Sequence, residues 1–202
     1  MTVPSLVIFD LGGVFVEFDY GLAAQKIAAQ AAVSPAEVRA LIDHSPLLRR
    51  YETGRLTTEE FFAEVVTATK FRGSLAEFGA HFNSIFQLVP ATVALNRELR
   101  ARGVRTFALS NTNPLAYESL QRAHDFFGDF DGLVVSHLAR VMKPDAGIYE
   151  QTEQLCGRRG AELVFIDDRA DNCAAAAARG WQVIQHQSPA ATRAQLQQLG
   201  LL

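Results

Sequence analysis

Four short apolar runs, each followed at once by polar residues, limit most strongly what this chain can fold into. The runs lie at residues 6–9, 104–109, 163–166 and 182–184, and a weaker run lies at 133–136. Each has the length of a strand that is buried on both faces, as strands of parallel sheets are. Helical patterns separate the later runs, at residues 91–102, 115–124, 145–156 and 170–179. This alternation predicts an α/β fold with a Rossmann-like, doubly wound parallel sheet.

A long segment without strand patterns separates the first run from the second. It contains three capping boxes, in which a Ser or Thr is followed three residues later by Glu, at residues 34–37, 57–60 and 74–77. Together with the alanine-rich residues 21–33, they predict about four helices and no strand. We therefore expect an α/β core domain over residues 1–17 and 90–202, with an inserted all-α, helical-bundle cap over residues 18–89 that covers the carboxyl edge of the sheet.

Composition excludes several classes of partner. The 202 residues carry a net charge of −3 and no run of basic residues, so we expect no nucleic acid partner. Asp10 interrupts the first apolar run, so we expect neither a signal peptide nor a membrane segment there. Cys156 and Cys173 lie in helical patterns and predict no disulfide framework, which fits a cytoplasmic protein. The sequence leaves open whether the protein is a monomer or a homodimer.

The polar residues that follow the apolar runs are of chemically useful types. In chain order they are Asp10, then Ser110, Asn111 and Thr112, then Lys143, and then Asp167, Asp168 and Asp171. In open α/β sheets, ligands bind at the carboxyl ends of the strands, so we expect these side chains to converge on one point. Two structural readings stay open beside this one: residues 110–112 could cap the next helix, and the acids at 167–171 could cap the helix that follows them.

The predicted cluster suits phosphoryl transfer. Several carboxylates at one sheet edge would repel each other unless a hard cation such as Mg²⁺ held them. With that cation and Lys143 neutralising a phosphate dianion, Asp10 could attack phosphorus in line and form an aspartyl-phosphate, which is then hydrolysed. Ser110 could hold a phosphate oxygen, and the glycines at 12 and 13 would let the backbone approach the phosphate closely.

Four segments carry a family resemblance. V-I-F-D-L-G-G-V, A-L-S-N-T, V-M-K-P and V-F-I-D-D-R-A-D-N resemble the four ordered motifs of the haloacid dehalogenase-like hydrolase superfamily. The helical insertion between the first two motifs resembles the C1 cap class. Within the superfamily, the chain is similar to the glucose-1-phosphate phosphatase-like branch, which is related to the N-terminal phosphatase domain of soluble epoxide hydrolases.

The resemblance implies a Mg²⁺-dependent phosphoric monoester hydrolase that acts on a small phosphorylated metabolite, such as a sugar phosphate. It implies Asp10 as the nucleophile, with Asp10, the Gly12 carbonyl and Asp168 as metal ligands. Asp167 and Asp171 would hold metal-bound water. The residues implied to bind the phosphoryl group are Gly13, Ser110, Asn111 and Lys143.

One position departs from the family pattern. Phosphatases of this superfamily usually carry a second Asp two residues after the nucleophile, as general acid and base, and this chain has Gly12 there. Such assistance is typically worth about 10²–10⁴-fold, so its loss should slow poor leaving groups most. Glu17 or Asp19, just downstream, could substitute for it.

Two other functions stay open. The chain could be a non-catalytic protein that binds a phosphorylated ligand and lost turnover together with the acid missing at Gly12. It could instead be a metal-free 2-haloacid dehalogenase in which Asp10 attacks carbon. The three acids Asp167, Asp168 and Asp171 disfavour dehalogenation, because a metal-free site has no use for that charge.

Overall fold

The computed structural model describes residues 4–202 and is organised around a parallel sheet. The strands are β1 (Leu6–Phe9), β2 (Val16–Glu17), β3 (Gln87–Leu88), β4 (Arg105–Ser110), β5 (Gly132–Val135), β6 (Leu163–Asp167) and β7 (Gln182–Gln185). Five of them form one sheet in the order β5-β4-β1-β6-β7, and every neighbouring pair in it is parallel. The chain builds outward from β1 to one edge and then to the other. This is the predicted doubly wound α/β fold.

Helices cover both faces of that sheet. In chain order the helices are α1 (Tyr20–Ala28), α2 (Pro35–Ile42), α3 (Pro46–Glu52), α4 (Thr58–Thr69), α5 (Leu75–Asn83), α6 (Pro90–Ala101), α7 (Pro114–Ala123), α8 (Ser136–Ala139), α9 (Ala146–Cys156), α10 (Ala170–Ala178) and α11 (Pro189–Gln198). Val7 and Phe9 of β1 pack with α6 and α11, whereas Leu6 and Ile8 pack with α9 and α10. Alternate residues therefore enter two different cores, which is why β1 is a continuous apolar run.

The segment between β2 and β3 forms a helical unit with its own core. The two short strands pair antiparallel, and α1 to α5 lie between them. Their shared core contains Tyr51 and Phe61, whose rings stack with centroids 4.3 Å apart. The three predicted capping boxes are present, at the starts of α2, α4 and α5.

Two expectations for this segment are wrong. There are five helices rather than about four, because α3 is short and begins with Ser45 and Pro46 without the Glu that completes a capping box. The expectation of no strand fails at β3, which has two exposed residues and so shows no alternating pattern.

In the α/β part of the chain, the sequence analysis did not predict α11, whose solvent face carries several glutamines. Within residues 4–202, no helix is both long enough and apolar enough to cross a membrane.

Candidate active site

Three carboxylates and a lysine meet where β1 and β6 end. Phe9 lies beside Ile166 in the parallel register of the two strands, so the next residues, Asp10 and Asp167, become neighbours. One carboxylate oxygen from each of Asp10, Asp167 and Asp168 can be chosen so that all three lie within 4.8 Å of one another. The convergence expected from the strand ends is therefore present for these residues.

Lys143 lies between two of these carboxylates. Its Nζ is 2.9 Å from Asp10 Oδ2 and 2.7 Å from Asp167 Oδ2, and it donates a hydrogen bond to the Leu109 carbonyl at 2.9 Å. The Lys143 side chain is buried. Burial disfavours the ammonium form, but the two carboxylates outweigh that penalty and raise the pKa of Lys143. The ammonium group is thus held charged inside the site.

The cluster carries more negative than positive charge. Burial raises the pKa of Asp10; Lys143 opposes this effect and the charge of Asp167 adds to it. Burial and the negative charge of Asp167 also raise the pKa of Asp168. One ammonium group cannot balance three carboxylates at this spacing. An all-oxygen donor set of this kind fits a hard divalent cation such as Mg²⁺.

Asp167 is fixed by groups that follow it in the chain. It accepts hydrogen bonds from the Arg169 backbone N–H at 2.9 Å and from Asn172 Nδ2 at 3.0 and 3.1 Å. Asn172 is buried and was not singled out from the sequence. Asn172 lies in the first turn of α10, five residues after the strand-end acid Asp167. This spacing is the signal that could have indicated Asn172. Asp171 is not part of the cluster, because its carboxylate pairs with Arg169 at 2.8 Å.

The residues at and after the end of β4 make different contacts. Ser110 is buried at the end of the strand and lines the cavity. Asn111 accepts a hydrogen bond from the Lys143 backbone N–H at 2.8 Å and donates one to its carbonyl at 2.9 Å. It therefore holds the loop that carries Lys143. The N-cap of α7 is Asn113, whose side chain accepts from the Ala116 N–H at 3.0 Å, so the capping alternative for residues 110–112 is wrong.

The two glycines after Asp10 stand against different neighbours. Gly13 has a φ of +70°, and a Cβ there would lie 2.5 Å from Asp168 Oδ2. A side chain at that position would displace a cluster carboxylate as well as strain the backbone. A Cβ at Gly12 would lie 2.9 Å from Cε1 of Phe18. The aromatic ring thus occupies the space that a side chain at position 12 would enter.

Neither suggested substitute for the missing acid reaches the site. Asp19 is the N-cap of α1, and its carboxylate accepts from the Gly21 N–H at 2.7 Å. Glu17 is exposed on β2. Neither residue lines the cavity above Asp10.

A cavity of about 600 Å³ opens above the cluster, between the sheet edge and the helical segment. Its floor is polar and includes Asp10, Ser110, Lys143 and Asp168. Its wall is mixed. It includes the polar side chains of His44, Arg49 and Glu52, and its aromatic side chains are Phe18, Tyr20, Phe86, Tyr117 and Phe127. The cavity therefore combines an ionic floor with a wall that is rich in aromatic side chains.

A doubly wound sheet that gathers carboxylates and a buried lysine at its strand ends is the architecture of an α/β enzyme with an anionic substrate site. The chain matches the family model for haloacid dehalogenase-like hydrolases over residues 4–180, and it belongs to that family of hydrolases.

Known proteins that are similar to this chain span more than one chemistry. The chain is 27% identical over 201 residues to a sesquiterpene phosphatase from Aspergillus oryzae, covering 98% of this chain and 97% of the relative. Its fold is similar to that of a haloacid dehalogenase-family enzyme from Bacteroides thetaiotaomicron solved with magnesium and inorganic phosphate, with a TM-score of 0.82, 20% identity and coverage of 91% and 94% of the two chains. An L-2-haloacid dehalogenase from Xanthobacter autotrophicus is also similar, with a TM-score of 0.64, 20% identity and coverage of 96% and 83%.

Proposed function

We propose that this chain is a Mg²⁺-dependent phosphatase that hydrolyses a small phosphate monoester through an aspartyl-phosphate on Asp10. The observation that carries the proposal is the cluster in which Lys143 Nζ lies 2.9 Å from Asp10 and 2.7 Å from Asp167, with Asp168 beside them. The phosphatase relative, which matches along nearly its whole length, supports the same chemistry.

Each residue of the cluster has a role in this proposal. Asp10, the Gly12 carbonyl and Asp168 would hold the metal, and Asp167 would orient a water bound to it. Bound Mg²⁺ would supply positive charge that lowers the repulsion between Asp10 and the phosphate. Asp171 would join only after it leaves its pair with Arg169.

The chain's own groups would bind and orient the phosphoryl group. Lys143 is already held against Asp10 and would donate to a phosphate oxygen with little reorganisation. The Ser110 hydroxyl, at the end of the neighbouring strand, would donate to another oxygen. Gly13 allows the backbone after Asp10 to pass close to the phosphate. Asn111 would act through its hydrogen bonds to the Lys143 backbone, which fix the position of that loop.

The cavity wall favours an apolar leaving group over the sugar that the branch resemblance implies. The wall presents five aromatic side chains on which an apolar leaving group would bury its surface, beside polar groups such as Arg49 and Glu52. Residues 18–89 would act as the cap domain that supplies part of this wall, over a core of residues 1–17 and 90–202. The relative that acts on a sesquiterpene substrate supports the same preference.

The test is phosphate release from a panel of glucose phosphates, linear alkyl phosphates and prenyl phosphates, with Mg²⁺ or with EDTA. We expect release only with Mg²⁺, and we expect kcat/KM to rise about fourfold per methylene that the wall buries, since each is worth about 0.8 kcal/mol. Asp10→Asn should abolish release, whereas Asp125→Asn, on an exposed carboxylate, should not change it. Equal release from wild type and Asp10→Asn, or release that persists in EDTA, would refute the proposal.

Two alternatives predict other outcomes. A non-catalytic binding protein would bind a prenyl phosphate in calorimetry and release no phosphate over hours. A dehalogenase would release chloride from 2-chloropropionate without a metal. The buried pair of Asp167 with Lys143, next to Asp168, supports phosphoryl transfer over that reaction.

A further inference from the structure

A side chain at the position two residues after the nucleophile would meet the ring of Phe18. The ring of Phe18 lies within 2.9 Å of where a Cβ at Gly12 would be, and it packs on Tyr20 and Phe86 with centroid distances of 5.5 and 6.1 Å. An acid on residue 12 would therefore have to displace this ring. A group that exchanges protons with the leaving group must come from another part of the cavity wall.

Glu52 is the acidic side chain that the helical segment contributes to this wall. Four acidic residues of the described chain line the cavity, and Asp10, Asp168 and Asp171 all lie on the sheet side. Glu52 is the last residue of α3 and shares the cavity with Asp10 and Gly12. Burial and the charge of Glu52 raise the pKa of Tyr20, so the two side chains are near each other. Tyr20 in turn packs against Phe18, whose ring lies beside position 12.

No structural role accounts for Glu52. A carboxylate at the last residue of a helix opposes the helix dipole and contributes no favourable interaction there. Across residues 4–202 the Glu52 carboxylate has no hydrogen bond and no ion pair, although it is partly buried. An unpaired acid that is partly removed from water is costly to ionise, and such groups are concentrated at functional sites.

The surroundings of Glu52 favour its protonated form. Burial, together with the nearby carboxylate of Asp43, raises the pKa of Glu52 to about 7. Asp43 is itself paired with Arg39 at 3.0 Å, and His44 lies 3.5 Å from it. Arg49 also lines the cavity, but its guanidinium pairs with Asp145 at 3.0 Å. A carboxyl group that titrates near neutral pH can both give and accept a proton.

We propose that Glu52 is the general acid and base that replaces the side chain missing at Gly12; this inference rests on the proposed phosphatase function. As Asp10 attacks phosphorus and the bond to the ester oxygen breaks, that oxygen takes the proton of Glu52 and leaves as the alcohol. The Glu52 carboxylate then takes a proton from water as the water oxygen attacks the aspartyl-phosphate. The bond between Asp10 and phosphorus breaks, phosphate leaves, and Glu52 is protonated again.

The experiment compares leaving groups, because a general acid matters most for poor ones. We expect Glu52→Gln, which keeps the shape of the side chain, to lower kcat/KM for phenyl phosphate and hexyl phosphate about 10²-fold or more. For p-nitrophenyl phosphate, whose leaving group needs little protonation, we expect a loss of less than about threefold. Glu59→Gln, an exposed glutamate on the neighbouring helix α4, is the matched control and should change neither value.

Rescue separates a chemical role from a structural one. Adding Gly12→Asp together with Phe18→Ala to Glu52→Gln opens position 12 to an acid and should recover part of the lost rate with phenyl phosphate. Equal losses for good and poor leaving groups, or no loss at all, would overturn the inference. If the variants do not fold, wild type alone still decides, because a steep dependence of kcat/KM on leaving-group acidity would show that no acid operates. Absence of any phosphate release by wild type would refute the proposed function instead.

Discussion

Replacing Glu52 with Gln should make the folded protein more resistant to alkaline pH while it reduces activity. Wild type keeps an ionisable carboxyl in a place where ionisation is unfavourable: its pKa is about 7 in the folded protein, against an ordinary value of 4.5. The folded state therefore holds this proton more tightly than the unfolded state does. The contribution of Glu52 to the free energy of unfolding is largest below pH 4.5 and falls as the pH rises to about 7.

The size of this effect follows from the two pKa values. A difference of about 2.5 between them corresponds to about 3 kcal/mol, because one pKa unit is worth about 1.4 kcal/mol. This value is an upper bound, since Glu52 retains some contact with water. The glutamine side chain of the variant cannot ionise, so the variant should lack this dependence on pH. Relative to wild type, the variant should gain up to about 3 kcal/mol between about pH 4.5 and about pH 8.

Urea denaturation of both proteins at several pH values between about 4.5 and about 8.5 measures the difference directly. Other titrating groups are common to the two proteins and cancel when the free energies of unfolding are subtracted. Glu59→Gln, which removes an exposed carboxylate, should show no comparable dependence. A difference between wild type and Glu52→Gln that stays constant over this pH range would show that Glu52 does not titrate anomalously, and the physical basis for its proton-transfer role would be lost.

Three other substitutions test the site and the helical core. Gly13→Ala should destabilise the fold by about 1–3 kcal/mol and weaken Mg²⁺ binding, since its Cβ meets Asp168 at a φ of +70°. Urea denaturation and a Mg²⁺ titration check this. An unchanged free energy of unfolding together with an unchanged affinity for Mg²⁺ would contradict it. Lys143→Met should lower phosphate release at least about 10²-fold and cost about 3–5 kcal/mol at pH 7, because it leaves buried carboxylates unpaired; full activity in phosphate assays would contradict it. Phe61→Ala should cost about 3–5 kcal/mol in urea denaturation, as the ring is fully buried against Tyr51; a loss below about 1 kcal/mol would show that this core is not well packed.

The sheet and the strand-end cluster could be predicted because their signals are local. Each core strand is a short apolar run, and each chemical residue directly follows its run, so register alone brings Asp10 beside Asp167. The excess of negative charge that indicated Mg²⁺ could be counted from the residue types alone. The position of Lys143 also followed from chain order, although its ion pairs with two carboxylates depend on how its loop folds.

The parts that could not be predicted depend on contacts between distant segments or on loop geometry. The sequence did not indicate that Asp171 pairs with Arg169, because that contact depends on the turn before α10. Glu52 lies on a seven-residue helix without a capping box, and its meeting with the cavity depends on how α3 packs. No periodic pattern in the sequence predicts how α3 packs.

Separation of the nucleophile and the acid on two parts of the chain has a mechanistic consequence. Asp10 belongs to the sheet, whereas Glu52 belongs to the helical segment, which is joined to the sheet through the short pair β2 and β3. An acid at position 12 would move with the nucleophile, but Glu52 reaches a leaving group only when the helical segment is seated over the sheet. Phe18 links the two parts, because its ring fills the space beside Gly12 and packs on Tyr20, whose pKa is raised by burial and by the charge of Glu52.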